Sequence, residues 1–493
     1  MNCKKCSIDE SGYHLSDRRS FLRESAGYIV GTSLLGGCSS ILPMTTAKLE
    51  PMRPCGPASR YVPAIRAAFV RREEDYGMWW PGAVYDGEAA RKKYTKQLME
   101  TAKVLGVKLD LRSEPIYSGQ EADEWLAGAG AAKVDGLMLM LLDRQQHTWP
   151  TAYKAAETGI PTIVFSPLGT SFTTNTTNLA QKGGCVIYST DDFGQAAYGM
   201  KMLAAGAKIR QVRCIVLAGD KRFDTTMADL GITLRHVPAK TFLEEYQRMD
   251  VTDEVRMMVQ EYVRGARRVR GATTDDVING AKSYFVARKI LEQEQADAIT
   301  MDCLGALADS KVSLPCLAWS RMNDEGIPAA CEADLGAVAS HIIVQYLFDR
   351  PGFQQDPVAD TANEAIIGAH CSCPTRLNGF DQPREAFDLI HHHGNRDAVP
   401  RTLWCKGQRI TSLDVLPGDN KDNPTRMLIS VGTVLDNVSV PPSGGCVISV
   451  RVKFDGTQNV LTFPGFHQLF FYGQYQRHLA EFSQLYNLNA QIV

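Results

Sequence analysis

The hydrophobic and polar positions of this chain alternate between strand-like and helix-like periods. Between residues 60 and 170, short apolar runs such as Ala64 to Val70 and Val134 to Leu142 are separated by helical patterns, of which Glu88 to Leu105 is the longest. Continuous apolar strands connected by helices are typical of a parallel sheet that is covered on both faces. The pattern therefore predicts an N-terminal α/β domain over residues 60–170.

The same alternation continues over residues 171–349. Long helical patterns at Phe242 to Arg264 and Asp275 to Gln293 lie between apolar runs that we expect to form a second parallel sheet. The predicted strands are Gly184 to Tyr188, Gln211 to Leu217, Ile232 to Val237, Ala298 to Met301, Cys316 to Ala318 and Ile327 to Cys331. The fold class predicted for both domains is α/β with a doubly wound, Rossmann-like sheet.

After about residue 350 the pattern changes to short β-rich runs that are separated by Pro, Gly, Asn and Asp. The runs Arg409 to Leu416, Met427 to Leu435 and Cys446 to Phe454 have the length and spacing of antiparallel strands. A helical pattern, Gln474 to Tyr486, comes last. We predict an antiparallel β-barrel or sandwich with a terminal helix over residues 350–493.

Residues 1–50 have the pattern of an export signal and linker. Arg18 and Arg19 precede a mildly apolar stretch, Ala26 to Leu35, as in twin-arginine signals. The run that ends at Cys38 resembles a lipobox, in which this cysteine carries a lipid anchor. We predict export through the twin-arginine route, either to the periplasm or as a membrane-anchored lipoprotein. A basic amphipathic helix is the alternative.

Composition and charge narrow the function classes only a little. The length of 493 residues suggests two to four domains, and 44% hydrophobic and 22% charged residues describe an ordinary globular chain. A net charge of -2 predicts no nucleic-acid partner, and no apolar run is long enough to span a bilayer. The 13 cysteines lack disulfide-rich spacing, which agrees with folding in the reducing cytoplasm before export.

Several common catalytic motifs are absent. Gly128 and Gly130 lie before a predicted strand, which is the wrong context for a dinucleotide-binding loop. The chain has neither a phosphate-binding Gly-x-x-x-x-Gly-Lys-Ser/Thr loop nor a Gly-x-Ser-x-Gly elbow. These absences argue against a nucleotide-dependent enzyme and against a serine hydrolase.

Two acids follow a strand of the second predicted sheet. Glu332 and Asp334 come directly after the run Ile327 to Cys331 and before a predicted helix, Leu335 to Leu347. Ligand sites of open α/β sheets collect beyond the carboxyl ends of strands. The alternative is that both acids cap the helix, whose dipole favours negative charge at this end.

The histidines in the C-terminal third allow both functional and structural interpretations. If residues 365–374 form a strand, His370 faces away from Cys371 and Cys373, so a zinc site made of these three residues is geometrically unfavourable. The triplet His391 to His393 is either a metal cluster or a hydrated loop. His467 follows a Pro-Gly turn and begins an aromatic run, where it can simply be packed.

Three segments resemble the L-fucose and L-arabinose isomerase family in order and spacing. They are Asn323 to Asp334, Phe353 to Pro374 and Gly465 to Tyr475. The resemblance extends from about residue 60 to the end of the chain. It implies a metal-dependent aldose–ketose isomerase that binds a sugar and forms a homo-oligomer, a trimer or a hexamer, with sites between subunits.

The resemblance also implies roles for individual residues. In the family, a divalent ion, usually Mn²⁺, is held by two carboxylates and one or two histidines. Glu332 matches the first carboxylate, and His370 and His467 match the histidines. Within Phe353 to Asp356, a glutamine, Gln355, occupies the usual place of the second acid, so Asp356 has to supply that carboxylate one residue later. We therefore predict that Glu332 and Asp356 are both catalytic and metal-binding.

Aldose–ketose exchange explains why these residue types are needed. Hydrogen moves between C1 and C2 through an enediol, so negative charge develops on two adjacent oxygens. A hard ion stabilises that charge, and carboxylates beside it transfer the proton. If Asp356 does not reach the ion, we expect a protein that binds metal and sugar but isomerises poorly.

Contacts with the sugar are predicted for a further set of residues. Aromatic and histidine side chains can stack on a sugar or bond to its hydroxyls, although each is also a plausible core residue. The predicted substrate-binding residues are Trp80, His147, Trp319, Gln355 and His392. Two other functions stay open, namely a metal-dependent carbohydrate lyase or epimerase and a non-catalytic sugar-binding protein.

Overall fold

The computed structural model describes residues 49–74, 86–144, 146–307, 312–392, 396–418, 423–439 and 446–493. The predicted export signal, with its arginine pair and Cys38, lies outside the described residues, as does Trp80. None of the helices in the described ranges combines the length and the apolar content that crossing a membrane requires.

Helices and strands alternate over most of the described chain. The helices are α1 (Pro57–Arg60), α2 (Gly87–Leu105), α3 (Gly119–Ala132), α4 (Thr148–Glu157), α5 (Thr173–Ala180), α6 (Phe193–Ile209), α7 (Lys240–Arg248), α8 (Asp253–Gly265), α9 (Thr274–Glu294), α10 (Cys303–Leu307), α11 (Cys316–Asp324), α12 (Leu335–Phe348) and α13 (Gln476–Leu485). The strands are β1 (Ala64–Val70), β2 (Lys108–Leu111), β3 (Gly136–Leu141), β4 (Thr162–Ser166), β5 (Cys185–Ser189), β6 (Arg213–Leu217), β7 (Phe223–Met227), β8 (Ile232–Val237), β9 (Arg268–Arg270), β10 (Ala298–Met301), β11 (Ala329–Cys331), β12 (Phe353–Asp360), β13 (Ala365–His370), β14 (Phe387–His392), β15 (Arg396–Thr402), β16 (Arg409–Leu416), β17 (Arg426–Asn437), β18 (Ile448–Phe454), β19 (Gln468–Tyr472) and β20 (Asn489–Ile492).

The first sheet is parallel throughout and has the strand order β2-β1-β3-β4-β5. Its connecting helices follow from local sequence signals. In α2, for example, the Asp86 carboxylate accepts hydrogen bonds from two backbone amides of the first turn, and Gly106 ends the helix at φ 63°. Tyr94, Leu98 and Ala102 form its buried face, as their spacing predicts.

One strand belongs to a different sheet than predicted. The sequence pattern places Gly184 to Tyr188 in the second domain, but β5 pairs in parallel with β4 and forms an edge of the first sheet. An apolar run indicates a strand without identifying its neighbour, because pairing depends on contacts that are distant in sequence.

The second sheet has the order β11-β10-β6-β8-β7, and its edge strand β7 runs antiparallel to β8. The prediction of a strand at Cys316 to Ala318 is wrong, because these residues begin helix α11 directly after Pro315. A short apolar run does not distinguish a buried strand from a buried helix by its period. The parallel pairing of β6, β8, β10 and β11 is as predicted.

The C-terminal strands form a closed antiparallel barrel, which confirms the barrel alternative. The barrel order is β16-β19-β12-β13-β18-β17, and β17 pairs again with β16 to close it. Strand β20 adds to β17 in parallel. A separate sheet joins β9 to β14 and β15, so a strand that precedes residue 349 pairs with one that follows it.

Helix α12 connects the second sheet to the barrel through an apolar core. Ile342, Ile343 and Leu347 are completely buried and belong to the same core as the barrel residues Leu413 and Val415. Each large apolar side chain that is fully buried contributes roughly 1.5–3 kcal/mol to the free energy of unfolding. This packing fixes the N-terminal end of α12 beside one end of the barrel.

Candidate metal centre at one end of the barrel

Three neighbouring barrel strands bring an acid and two histidines together. Strand β12 lies between β19 and β13, and Asp356 pairs with Ala369, the residue before His370. On the other side, the residue before Asp356 pairs with the residue after His467. The pairing brings the ends of the three strands to one place, and the Asp356 carboxylate lies 3.2 Å from Nε2 of His467 there.

Glu332 enters the same space from the second sheet. It follows β11 and has φ 65°, and Ala333 after it has φ 53°. Left-handed backbone at non-glycine residues costs roughly 1–3 kcal/mol each and persists only where the surroundings hold it. Here the amide of Ala333 donates to the Met301 carbonyl at 2.8 Å, and the amide of Cys331 donates to the Gln354 side chain at 2.9 Å.

We call Glu332, Asp356, His370 and His467 the carboxylate–imidazole cluster. The Nε2 atom of His467 lies 3.2 Å from Asp356 Oδ1 and 3.4 Å from Glu332 Oε2. The Nε2 atom of His370 lies 3.7 Å from Glu332 Oε1. One donor atom each from Glu332, His370 and His467 lies within 4.8 Å of the other two, a spacing that allows all three to hold one ion.

The cluster contains buried polar atoms that are not hydrogen bonded. Asp356 Oδ1, His370 Nε2 and His467 Nε2 have no hydrogen-bond partner among the described residues, so the 3.2 Å contact lacks hydrogen-bond geometry. Buried polar groups in folded proteins nearly always have partners. Three such atoms that face one small region fit a cation, since oxygen and imidazole nitrogen are donors that divalent ions bind.

The two sides of the cluster differ in exposure. The side chains of Glu332 and Asp356 are 35% and 30% exposed, whereas those of His370 and His467 are 2% and 6% exposed. The carboxylates therefore face solvent while the imidazoles form the inner wall. A ligand from solution has access from the carboxylate side.

Asp334 both caps helix α12 and contacts His467. One carboxylate oxygen accepts from the amide of Ala337 at 2.8 Å and caps helix α12. The other oxygen lies 2.8 Å from Nδ1 of His467 and accepts a hydrogen bond from it. A carboxylate on one ring nitrogen fixes the orientation of the imidazole and leaves the other nitrogen for a metal ion. Asp334 thus directs Nε2 of His467 into the cluster.

The three acids around His467 control its charge. Burial alone lowers the pKa of His467, but the carboxylates of Asp334, Asp356 and Glu332 outweigh burial and raise this pKa to about 11. The imidazolium in turn lowers the pKa of Glu332. Without a cation, the proton on His467 therefore balances part of the negative charge, and a divalent ion has to displace it.

His370 has the opposite electrostatic environment. Burial lowers its pKa, although the charges of Asp356 and Glu332 act against this shift. The imidazole is therefore neutral at neutral pH, which is the form that binds metal ions.

A buried acid that the sequence analysis did not identify shapes the turn before His467. Asp414 in β16 accepts a hydrogen bond from the amide of Phe466 at 3.0 Å, and burial raises the pKa of Asp414 to about 6. Gly465 adopts φ 92° directly against this carboxylate, where a Cβ atom would lie 2.5 Å from Oδ2. An acid within the otherwise apolar pattern of a predicted strand was the sequence signal for this role.

Gln355 and Asp356, the two candidates for the position of the second carboxylate, point to opposite sides of strand β12. Gln355 is completely buried, and its Nε2 donates to the Gln468 side chain at 3.1 Å. Asp356 points to the other side of the strand, into the cluster. The carboxylate that reaches His467 is therefore Asp356.

The other predicted substrate-binding residues lie at different places. His147 precedes α4, and its Nε2 lies 3.1 Å from the Ile116 carbonyl of the first domain. Trp319 is completely buried within α11. His392 is buried beside Cys316 and Cys371 rather than in a hydrated loop. Contact of these residues with a sugar stays a prediction.

Two further residues border the cluster and were missed. The thiol of Cys446 lies 3.9 Å from Asp356 Oδ2. Phe466, beside His467, is 60% exposed, with its ring centre 4.5 Å from the imidazole. An exposed aromatic ring next to a polar cleft can pack on the apolar face of a sugar. No motif or spacing in the sequence identified either residue as part of a site.

Solved structures of sugar-binding proteins are distantly similar to the chain. A periplasmic solute-binding protein of an ABC transporter from Actinobacillus succinogenes, with bound D-allose, is 12% identical and covers 55% of this chain and 77% of its own, at a TM-score of 0.19. A glucose-galactose binding protein from Geobacillus stearothermophilus is 15% identical and covers 59% and 93%, also at 0.19. At these TM-scores, neither likeness bears on function.

No protein-family model matches the chain. Two characterised proteins are similar to it in sequence, the sulfoquinovose isomerases of Priestia aryabhattai and Priestia megaterium. Each is 21% identical over 270 residues, which cover 53% of this chain and 58% of the relative. The match thus spans little more than half of either protein. It relates the chain distantly to a sugar isomerase.

Proposed function

We propose that this protein is a divalent-metal-dependent isomerase that interconverts an aldose and a ketose through an enediol. The observation that carries the proposal is the convergence of two partly exposed carboxylates and two buried imidazoles, in which three buried polar atoms lack hydrogen-bond partners within the described part of the chain. The distant relation to sulfoquinovose isomerases supports a sugar as the substrate class.

Glu332, His370 and His467 would hold the ion, and Asp356 would be a fourth ligand beside His467. Carboxylate and imidazole donors suit Mn²⁺, whereas a site with thiolates would favour softer ions. When bound, the ion supplies electrostatic stabilisation for two adjacent substrate oxygens on which negative charge develops. Asp334 keeps His467 oriented for this role through its 2.8 Å contact with Nδ1.

Proton transfer is assigned to Glu332. The imidazole of His467 lowers the pKa of Glu332, so its carboxylate is ionised at neutral pH, and its side chain faces solvent. In the forward direction Glu332 takes the proton from C2 of the aldose and returns it to C1. The hydroxyl proton of O2 passes to O1, so the carboxylate is restored and no atom is lost. Asp356 lies 3.2 Å from His467 Nε2 and would orient the two oxygens.

The proposal includes three features that lie beyond the cluster. Trp80 and His147 are still predicted to contact the sugar, whereas Trp319, Gln355 and His392 are buried. We also propose that the chain forms a homo-oligomer and is exported through the twin-arginine route, with a lipid anchor at Cys38 as one outcome. Mass spectrometry of the mature protein and its mass in solution test these features separately from catalysis.

The function is tested by incubating metal-stripped, Mn²⁺-reloaded protein with aldoses, including 6-substituted aldohexoses, in deuterated water. We expect ketose formation with solvent deuterium in the sugar. The substitutions Glu332→Gln and Asp356→Asn should each lower kcat/KM by about 10² to 10⁴, the usual cost of losing a catalytic acid or base. Glu364→Gln is the matched control and should leave kcat/KM unchanged. Glu364 lies between β12 and β13, on the hairpin that carries Asp356, but its side chain is 77% exposed and pairs with Lys453.

Other outcomes would contradict the proposal. If no aldose gives either ketose or deuterium exchange, the isomerase assignment is wrong. Cleavage of glycosides without ketose would favour a lyase, and sugar binding without either reaction would favour a non-catalytic protein.

A further inference from the structure

We propose that Cys316, Cys371 and His392 form a second metal site, which takes Zn²⁺. All three residues are buried, and one donor atom from each lies within 4.8 Å of the other two. We call this group the thiolate site. It goes beyond the proposed isomerase function and does not depend on it.

The spacing of the donors is close to that of a zinc site. The sulfur atoms of Cys316 and Cys371 lie 3.3 Å apart. Tetrahedral zinc with Zn–S bonds of about 2.3 Å separates two sulfur ligands by about 3.8 Å. A widening of about half an ångström, within reach of small side-chain rotations, would therefore admit the ion.

The three ligands come from elements that are far apart in sequence. Cys316 is the first residue of helix α11. Cys371 directly follows β13. His392 ends β14 at a bulge between His391 and His392, and bulges redirect side chains. His391 pairs with Asp276 at 3.0 Å instead, while His392 turns inward.

The tertiary structure removes the objection that sequence raised to a zinc site here. The sequence analysis considered a zinc site made of His370, Cys371 and Cys373. On a strand, His370 faces away from the two cysteines, which made that site unfavourable. Instead, the structure combines Cys371 with two partners outside that segment. The thiol of Cys331 is not part of this group and lies 3.2 Å from the Ser372 hydroxyl.

Charge and donor softness distinguish the thiolate site from the carboxylate–imidazole cluster. Zn²⁺ with two thiolates and a neutral imidazole has no net charge, which suits a buried position. Thiolates select Zn²⁺, whereas carboxylates suit Mn²⁺. The two sites are neighbours, because Nδ1 of His370 lies 3.4 Å from the sulfur of Cys371. A zinc ion here would tie α11, β13 and β14 together behind His370.

The experiment uses the full chain, stripped of metal and titrated with Co²⁺. Cobalt bound to thiolates gives a near-ultraviolet sulfur-to-metal charge-transfer band, which carboxylate and imidazole ligands do not produce. We expect this band to saturate at one ion per chain and to be displaced by Zn²⁺. Cys316→Ser, Cys371→Ser and His392→Gln should each abolish it or lower the affinity at least tenfold.

Two controls separate this proposal from the isomerase proposal. Cys373→Ser is the matched thiol control and should keep the band, because the buried Cys373 thiol donates to the Pro374 carbonyl instead. Glu332→Gln should also keep the band while it loses Mn²⁺ binding and ketose formation. If one cysteine variant does not fold by circular dichroism, the His392 variant still reports on the site.

Three results would overturn the thiolate site. One is the absence of a charge-transfer band in folded, reduced wild-type protein. Another is a band that persists in both cysteine variants. The third is a Cys316–Cys371 disulfide, seen as a mass two hydrogens lower in freshly purified protein that contains no zinc.

Discussion

His467 lies among three carboxylates, so its protonation and metal binding are linked. Because the pKa of His467 is raised to about 11, the folded, metal-free protein keeps this proton at neutral pH. The stabilisation from this ion cluster is complete below the ordinary histidine pKa, about 6.5, and is lost as the pH rises through about 11. Mn²⁺ needs the neutral imidazole and must release the proton.

This linkage predicts that Mn²⁺ binding at pH 8 releases about one proton per ion. The apparent affinity should fall by up to about tenfold for each unit that the pH is lowered. Titration calorimetry in two buffers of different ionisation enthalpy measures the released proton directly. A binding enthalpy that is the same in both buffers would contradict the assigned role of His467.

Asp334 offers a separate test at the residue scale. Asp334→Asn keeps a good helix cap but removes the charged partner of His467 Nδ1, so Mn²⁺ affinity should fall about 10- to 100-fold. The matched control is Asp192→Asn, because Asp192 caps α6 through the amide of Gly194. Equal Mn²⁺ affinity in wild type and Asp334→Asn would rule out the positioning role.

The residues of the cluster could be predicted from the sequence, but the contacts among their side chains could not. Glu332, His370, His467 and Asp356 occur in short segments with a recognisable order. The choice between Gln355 and Asp356 depends on which side of β12 faces the cluster, and that is set by pairing with β13 and β19. The dual contact of Asp334 and the role of Asp414 arise only when the barrel packs against α12.

At the scale of elements, the N-terminal end of α12 positions Glu332 and Asp334. Gly336 lies in its first turn, where a Cβ atom would collide with the backbone carbonyl of Val415 in β16. Gly336→Ala should therefore push the helix away from the barrel, lower the free energy of unfolding by about 1–3 kcal/mol and weaken Mn²⁺ binding.

A matched helix-start variant controls for the Gly336 prediction. Gly119→Ala, in the first turn of α3, meets no atom within 4 Å and should leave Mn²⁺ binding unchanged. Urea unfolding and Mn²⁺ titration of both variants measure the two effects. If Gly336→Ala behaves like Gly119→Ala, the close packing of α12 on β16 does not position the site.

His341 gives α12 a defined response to pH. Burial lowers the pKa of His341 to about 3, below its value of about 6.5 in an unfolded chain. Above pH 6.5 the residue is neutral in both states and contributes nothing. As the pH falls below 6.5, only the unfolded state takes up the proton, so stability is lost until about pH 3.

The variant His341→Gln should remove this part of the acid sensitivity. Between pH 6 and pH 4, the slope of the free energy of unfolding should be smaller than in wild type by about 1.4 kcal/mol per pH unit. Urea unfolding in the presence of a chelator measures both slopes without interference from metal binding. Identical slopes would show that His341 is not buried in its neutral form.

Periodicity predicted the type of most elements but not all of their partners. The patterns of α2, α9 and the barrel strands were strong because many turns or alternations repeat. The run Cys316 to Ala318 was too short to show a helical period. Nothing in the sequence of β5 indicated that it pairs with β4. Sheet membership depends on long-range packing, which a local pattern does not contain.

At the scale of the molecule, the described residues from Glu50 onward share contacts across the predicted domain boundaries. Strand β9 pairs with β14, and one apolar core includes residues of both α/β sheets, of α12 and of the barrel. The carboxylate–imidazole cluster lies where the second sheet meets the barrel. Neither region alone supplies all of the ligands. Glu332 follows a strand of the second sheet, whereas Asp356, His370 and His467 belong to the barrel.

The central claim is that the carboxylate–imidazole cluster, formed by Glu332, Asp356, His370 and His467, binds one divalent ion. A crystal structure of the Mn²⁺-soaked protein, with anomalous diffraction measured on both sides of the manganese edge, tests this directly. The account predicts one manganese peak within about 2.0–2.3 Å of oxygen atoms of both carboxylates and Nε2 of His467. A fully soaked crystal with no peak at that position, or with manganese only beside Cys316 and Cys371, would contradict it.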